Sequence, residues 1–198
     1  MSDILCVTNR RLCGEDFLQR IERIAACRPA GIILREKDMT ERQYYELAAG
    51  VMNICKEYDV PCILHSFAGA AAALSAEAIH MPLPLLIEMR AEEKAAFKVI
   101  GASCHSRGEA ARAERLGCGY ITAGHVFETD CKKDLMPGGI SFLKEVCDAV
   151  SVPVFGIGGI TGGNIGSVRS AGAAGACIMS GLMKCSDPAE FLDELQRG

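Results

Sequence analysis

Eight short apolar runs recur along the 198-residue chain, and segments with helical periodicity separate most of them. The runs do not alternate regularly with polar residues, which is typical of parallel strands that helices cover on both faces. Strand and helix alternating in this way predict right-handed crossovers between neighbouring parallel strands. The predicted strands occupy residues 4–8, 31–35, 62–65, 78–81, 99–105, 120–127, 152–156 and 176–179.

Helix-capping residues stand at the ends of several intervening segments. Thr40 and Gln43 have the spacing of a capping box, and Gly117 and Gly172 stand where a glycine commonly follows a helix. Residues 81–98 carry the weakest pattern, and we expect only a short helix at 88–96 there. The other predicted helices cover residues 16–27, 40–58, 107–116, 140–150, 163–171 and 188–197.

The strand count predicts an α/β fold, a (β/α)8 TIM barrel, in one domain spanning residues 1–198. A doubly wound open sheet is the alternative for a chain with this alternation. The barrel is favoured because there are eight runs and because polar residues follow their C-terminal ends. No linker, low-complexity segment or long-period repeat interrupts the pattern.

Charge and composition narrow the classes of partner and compartment. The net charge is −4 and no basic block stands out, which argues against a nucleic-acid partner. No apolar run reaches the length of about 20 residues that spans a bilayer, and the first residues do not form a signal-peptide pattern. The eleven cysteines include no CxxC pair and several lie in apolar runs, which favours buried reduced thiols over a disulfide framework. We therefore expect a cytoplasmic protein without membrane partners.

Candidate catalytic side chains cluster at the C-terminal ends of the predicted strands. In a parallel barrel these ends meet at one mouth, where barrel active sites lie. A single histidine at such a place is equally well a structural residue, but several on one rim favour a site. No His/Cys pair has the short spacing of a zinc site, so no metal is predicted. The side chains at these ends are His65, His80, His105, His125, Arg35 and Lys37.

Two glycine-containing loops follow the last two predicted strands, at residues 156–163 and 179–181. Glycine lets a phosphate approach the backbone closely, and the N-terminus of the following helix offers free N–H groups. Barrels often build a phosphate site from these two loops. The loops predict a phosphate-binding site; tight turns without a ligand are the alternative.

A third segment, residues 124–133, begins at the end of the sixth predicted strand with Gly-His and continues as a long polar loop. A plain surface loop has no need of a histidine at its root. We expect this loop to lie over the mouth as a lid.

Four of these strand-end segments resemble the motifs of one family. They are Leu-Arg-Glu-Lys at 34–37, Gly-Ala-Ser-Cys-His-Ser at 101–106, Gly-Ile-Gly-Gly-Ile-Thr at 156–161 and Met-Ser-Gly at 179–181. On these motifs the chain is similar, along nearly its whole length, to the thiamine phosphate synthase / TenI superfamily. The resemblance implies the following substrate contacts, with the phosphate held by the glycine-rich loops: Arg35, Lys37, Ser103, His105, Lys132, Gly158, Gly159, Met179, Ser180 and Gly181.

The two branches of this superfamily differ at other positions. Synthases carry Gln where this chain has Ile33, Asn-Asp where it has His65-Ser66, and a Gly-Gln-x-Asp stretch where it has residues 81–85. Both missing aspartates would bind magnesium, which neutralises a departing pyrophosphate. Residues 124–133, by contrast, closely resemble the TenI motif GHVFETDCKK.

The TenI-like motif implies a thiazole tautomerase, an isomerase of thiamine biosynthesis that aromatises a thiazole carboxylate phosphate. His125 would be its catalytic acid and base, because one imidazole with a pKa near neutrality can remove a proton and return it. No cofactor is then expected. The alternatives are a thiamine phosphate synthase, a transferase that joins a pyrimidine pyrophosphate to thiazole phosphate, and a non-catalytic regulatory protein that binds the phosphorylated ligand. We expect a homodimer.

Overall fold

The computed structural model describes residues 2–129 and 135–198. Its eight strands are parallel and pair in sequence order, and β8 pairs with β1, so the sheet closes on itself. This confirms the predicted (β/α)8 barrel and rules out the open sheet. The strands are β1 (Ile4–Val7), β2 (Gly31–Leu34), β3 (Cys62–His65), β4 (Ala78–Pro82), β5 (Val99–Cys104), β6 (Tyr120–Gly124), β7 (Val154–Ile157) and β8 (Gly175–Ile178).

Helices surround the barrel and largely follow the predicted periodicity. The Thr40–Gln43 capping box is formed, and Gly117 and Gly172 adopt positive φ after their helices, as predicted. A 3-10 helix spans Arg10–Leu12. The α-helices are α1 (Phe17–Ala26), α2 (Glu41–Glu57), α3 (Ala68–Ala73), α4 (Leu83–Glu88), α5 (Ala91–Lys94), α6 (Arg107–Arg115), α7 (Gly139–Cys147), α8 (Ile165–Ser170), α9 (Ser180–Lys184) and α10 (Pro188–Arg197).

Some predicted boundaries were wrong. The weakly patterned residues 81–98 hold two short helices, α4 and α5, instead of one, and the short helices α3 and α9 were not predicted. Strand β6 ends at Gly124, although its apolar run continues to residue 127. Val126 is fully buried outside the strand, and its apolar side chain packs in the core cluster that surrounds the barrel.

Alternate strand residues divide the core into two parts. Residues such as Leu64, Ile79, Ala102 and Ile121 face outward and pack beneath the helices. The inward-facing residues form a separate apolar cluster that fills the barrel interior, as layered side chains do in this fold. That cluster consists of Leu5, Val7, Ile33, Ile63, Tyr120 and Cys177.

Strand register places a polar layer directly above part of this apolar interior. His65 pairs with His80 across β3 and β4, and Ser103 pairs with Thr122 across β5 and β6. Each of these residues lies two positions after an inward-facing residue of its strand, so it points to the same side. The barrel interior is therefore apolar below and polar towards the mouth.

Within residues 2–129 and 135–198, no helix is both long enough and apolar enough to cross a membrane. The cysteines of these residues are all free thiols.

Candidate active site

A cavity of about 1140 Å³ opens at the C-terminal ends of the strands. All four histidines contribute to its walls, as the sequence predicted. Lys132 lies outside the described residues. The other predicted site residues all line this one cavity: Arg35, Lys37, Ser103, His105, His125, Gly158, Gly159, Met179, Ser180 and Gly181.

His125 lies at the start of the loop after β6 and is only 8% exposed. Its Nε2 lies 3.2 Å from the carbonyl oxygen of Leu135. Because a carbonyl only accepts, Nε2 carries the proton and donates it. In the neutral form of the ring the lone pair then lies on Nδ1, which is the nitrogen able to accept a proton.

His105 holds the backbone from which His125 projects. The Nδ1–H of His105 donates to the carbonyl oxygen of Gly124 at 2.5 Å. The backbone N–H of His105 donates to the Glu109 carboxylate at 2.6 Å, which anchors His105 to α6. This exposed histidine thus fixes the end of β6, one residue before His125.

Gly158 and Gly159 pack directly against the loop that carries His125. Both have positive φ, and a Cβ on Gly158 would lie 2.4 Å from the Cβ of His125. A Cβ on Gly159 would lie 2.3 Å from the carbonyl oxygen of Glu128. The glycines are therefore required for loop packing, a reason that the phosphate argument from sequence did not include.

Arg35 and Lys37 reach the cavity from the loop after β2, and a buried carboxylate secures this loop. The Arg35 backbone N–H donates to Thr8 Oγ1 at 2.9 Å, and that hydroxyl donates to Glu36 Oε1 at 2.7 Å. Glu36 is 2% exposed and also accepts from the Arg10 backbone N–H. The middle residue of the Arg-Glu-Lys motif is therefore structural, while its neighbours face the cavity.

Comparison with known proteins identifies the family. A family model described as thiamine monophosphate synthase, TMP-TENI, matches residues 4–182. The chain belongs to this family. It is 34% identical over 189 residues to a thiamine-phosphate synthase of Desulfitobacterium hafniense strain Y51, covering 92% of this chain and 89% of that protein. It is also 34% identical to a thiamine-phosphate synthase of Pyrococcus abyssi, covering 96% and 91%.

A solved thiamine phosphate pyrophosphorylase from Pyrococcus furiosus has the same fold, with a TM-score of 0.83 and 26% identity, covering 98% of this chain and 93% of that one. The predicted superfamily is thus confirmed. The placement nearest the TenI tautomerase branch gains no support from these relatives, because each is named as a thiamine-phosphate synthase or a thiamine phosphate pyrophosphorylase and none as a tautomerase.

The floor of this family member's cavity contains two uncharged imidazoles. His80 is fully desolvated, which lowers its pKa to about 3. Burial lowers the pKa of His65 to about 2, and repulsion from His80 adds to the effect. Both rings are neutral near pH 7, so neither is suited to general acid–base catalysis at that pH. His80 is therefore a poor substitute for His125, although both were expected at the mouth of the barrel.

The described lining offers little to a divalent metal ion. Glu128 is its one carboxylate, and no group of three His, Cys, Asp or Glu in residues 2–129 and 135–198 has the geometry to hold a metal. Magnesium prefers several oxygen ligands, including at least one or two carboxylates. The described side chains therefore fit this ion poorly.

Sequence reasoning missed two polar residues of the lining. Lys184 lies at the end of α9, one turn after Ser180, and adds a cation to the cavity wall. Thr122 projects from the middle of β6 into the floor. The available signal for Thr122 was a threonine between the apolar residues Ile121 and Ala123 in the middle of a predicted strand.

Proposed function

We propose that this protein is a thiazole tautomerase that moves a proton on a phosphorylated thiazole carboxylate, with His125 as acid and base. The observation that carries the proposal is the setting of His125 in the cavity wall, where its Nε2 donates to the Leu135 carbonyl so that Nδ1 carries the lone pair of the neutral ring. The TenI-like sequence of residues 124–133 supports the same conclusion.

The reaction needs few groups. Nδ1 of His125 removes the proton from the ring carbon, and the resulting imidazolium returns a proton to the exocyclic carbon, so that the ring becomes aromatic. One imidazole can carry out both steps, since a ring nitrogen that takes up a proton can also return one. Neither step requires an oxidant, a reductant or a leaving group.

The remaining lining residues suit an anionic ligand. Arg35, Lys37 and Lys184 bring three cationic side chains to the cavity. The Gly158–Gly159 turn and the start of α9 also line this cavity. We propose that the phosphate is held there, so that its binding energy positions the thiazole ring against His125.

The test is the turnover of the His125→Asn variant with the tautomeric thiazole carboxylate phosphate, followed by proton NMR in deuterium oxide. We expect turnover to fall at least about 100-fold, the lower end of what a positioned acid–base group contributes. Product affinity, measured by calorimetry, should remain near the wild-type value, because the phosphate is held elsewhere.

The His105→Asn variant is the matched comparison, since it removes an imidazole from the same rim. It should lose less activity, because His105 acts on His125 only through Gly124. Near-wild-type turnover by a folded His125→Asn protein would refute the assignment. Product binding by a wild-type protein that shows no turnover would instead favour the non-catalytic, regulatory alternative.

A thiamine phosphate synthase is the second candidate, and the names of the relatives favour it directly. The cationic lining is compatible with a pyrophosphate-bearing substrate as well. The scarcity of carboxylates in the described lining counts against it, since synthase chemistry must neutralise departing pyrophosphate. Magnesium-dependent release of pyrophosphate from the pyrimidine pyrophosphate and thiazole phosphate would establish the synthase and displace the first proposal.

A further inference from the structure

A chain of hydrogen bonds runs from the barrel interior to the cavity floor. The hydroxyl of Tyr120 lies 2.9 Å from His80 Nδ1, and His80 Nε2 lies 2.8 Å from Ser103 Oγ. Thr122 Oγ1 lies 3.4 Å from the same serine oxygen and also 3.4 Å from His80 Nε2, so the shorter bond from Nε2 is the one to Ser103. Tyr120 does not contact the cavity, whereas the other three residues line it. The chain therefore has one closed end and one end that faces a ligand.

The buried end of this hydrogen-bond chain, Tyr120, determines which group donates and which accepts in each bond. Tyr120 is 7% exposed, and His80 Nδ1 is the one hydrogen-bond partner that the described residues provide for its hydroxyl. Burial raises the pKa of Tyr120 well above its usual value, so the hydroxyl keeps its proton. A buried O–H without an acceptor is costly, so Tyr120 donates to Nδ1.

This donation selects one tautomer of His80. The ring is neutral near pH 7, because burial lowers its pKa to about 3. With Nδ1 accepting from Tyr120, the single ring proton lies on Nε2 and is donated to Ser103 Oγ. The opposite tautomer would leave the Tyr120 proton buried without an acceptor.

The tautomer of His80 in turn determines how Ser103 takes part in the hydrogen bonds. Ser103 Oγ has two lone pairs, which accept from His80 Nε2–H and from the hydroxyl of Thr122. Its own proton is therefore not used in the bond to His80, and Ser103 can donate it to a ligand in the cavity that it lines. Ser103 is thus presented to a ligand as a hydrogen-bond donor.

We propose that Tyr120 and His80 are positioning residues that fix Ser103 as a donor, so that the cavity floor recognises a hydrogen-bond acceptor on the ligand. Under the proposed function, on which the ligand's identity rests, the acceptor is the carboxylate or the ring nitrogen of the thiazole. Neither positioning residue exchanges a proton with the ligand.

The packing around Tyr120 leaves room for its side chain to reach His80. A Cβ on Gly101 would lie 2.1 Å from the Tyr120 ring, so the glycine makes room for this side chain beside its neighbour strand β5. The ring also packs edge-on against Phe155 at a centroid distance of 6.0 Å. Tyr120→Phe keeps this ring packing and removes only the hydroxyl, which makes it a clean test variant.

The first measurement is nitrogen-15 NMR of the histidine side chains in the ligand-free protein at pH 7, with His80 assigned from its absence in the His80→Gln spectrum. We expect wild-type His80 to carry its proton on Nε2. Tyr120→Phe should yield a mixture of tautomers, because Nδ1 has lost its donor. Tyr44→Phe is the matched control, since it removes another buried hydroxyl, one bonded to Leu34 and His65, and should leave the His80 tautomer unchanged.

The second measurement is the Kd of thiazole carboxylate phosphate and of the same thiazole phosphate without its carboxylate. Ser103→Ala should weaken binding about tenfold, and Tyr120→Phe about threefold, as expected for loss or misdirection of one hydrogen bond. Adding Tyr120→Phe to Ser103→Ala should cause no further loss. If Ser103→Ala weakens the binding of both ligands, the acceptor of the Ser103 hydrogen bond is the ring nitrogen. If it weakens only the binding of the thiazole carboxylate phosphate, the acceptor is the carboxylate.

A wild-type His80 protonated on Nδ1 would overturn the proposal, as would a Tyr120→Phe protein with an unchanged tautomer and unchanged affinity. Absence of tautomerase turnover, with the NMR result as expected, would count against the proposed function only. The hydrogen-bond direction and the reaction are thus tested separately.

Discussion

Acidification from pH 7 to pH 5 is expected to destabilise the fold through the two histidines in the barrel interior. Burial lowers the pKa of His80 to about 3 and that of His65 to about 2, whereas a histidine in the unfolded chain has a pKa of about 6.5. Between those limits the unfolded state binds protons that the folded state does not. The free energy of unfolding therefore falls as the pH is lowered through this window.

The size of the effect follows from the difference in pKa. Between pH 7 and pH 5, each histidine is expected to cost about 2 kcal/mol, so the pair costs about 4 kcal/mol. That loss is a large part of the stability of a typical domain. The range stops at pH 5 because carboxylates with lowered pKa values, such as Asp38 beside Arg10, contribute only at lower pH.

Urea denaturation followed by circular dichroism at pH 7, 6 and 5 measures this loss. His80→Gln should remove about half of this loss, because only His65 of the buried pair then takes up a proton on unfolding. His105→Gln is the control: this histidine is exposed, and its replacement should preserve the full pH dependence. Equal free energies of unfolding at pH 7 and pH 5 would refute the reasoning, as would a His80→Gln protein with the full loss.

Three further predictions concern the loops, a helix cap and metal dependence. In thermal denaturation, Gly159→Ala should lower the free energy of unfolding by about 1–3 kcal/mol, because the new Cβ meets Glu128 and φ is +66°. Gly163→Ala should cost much less in the same assay, because the nearest atom to its new Cβ is Thr161 Oγ1 at an ordinary contact distance of 3.8 Å. Thr40→Ala should cost about 1 kcal/mol in urea denaturation, through loss of the capping box of α2. Tautomerase turnover should be unchanged by EDTA; a strict requirement for added magnesium would contradict the first proposed function and favour the second.

The sequence alone predicted the barrel and most of its rim. Strand number and strand–helix alternation are local properties, and a parallel sheet of eight strands with short crossovers closes in few ways. The positions of Arg35, Lys37 and the histidines at strand ends followed from the same alternation, because every C-terminal end points to one mouth. The loop boundaries were less well predicted, since Val126 is apolar for packing outside the strand.

Tertiary structure decided how these residues differ from one another. His80 and His125 both follow apolar runs in the sequence, yet one is a desolvated neutral ring bonded to Tyr120 and the other is held by Leu135 at the loop. Tyr120 reaches His80 from two strands away, and only the register across β5 and the missing Cβ of Gly101 bring them together. Burial and hydrogen-bond partners come from residues that are distant in the chain. The pKa of a histidine and the direction of its hydrogen bonds therefore depend on the assembled barrel. Strand periodicity, by contrast, is a property of each short segment and can be found in the sequence alone.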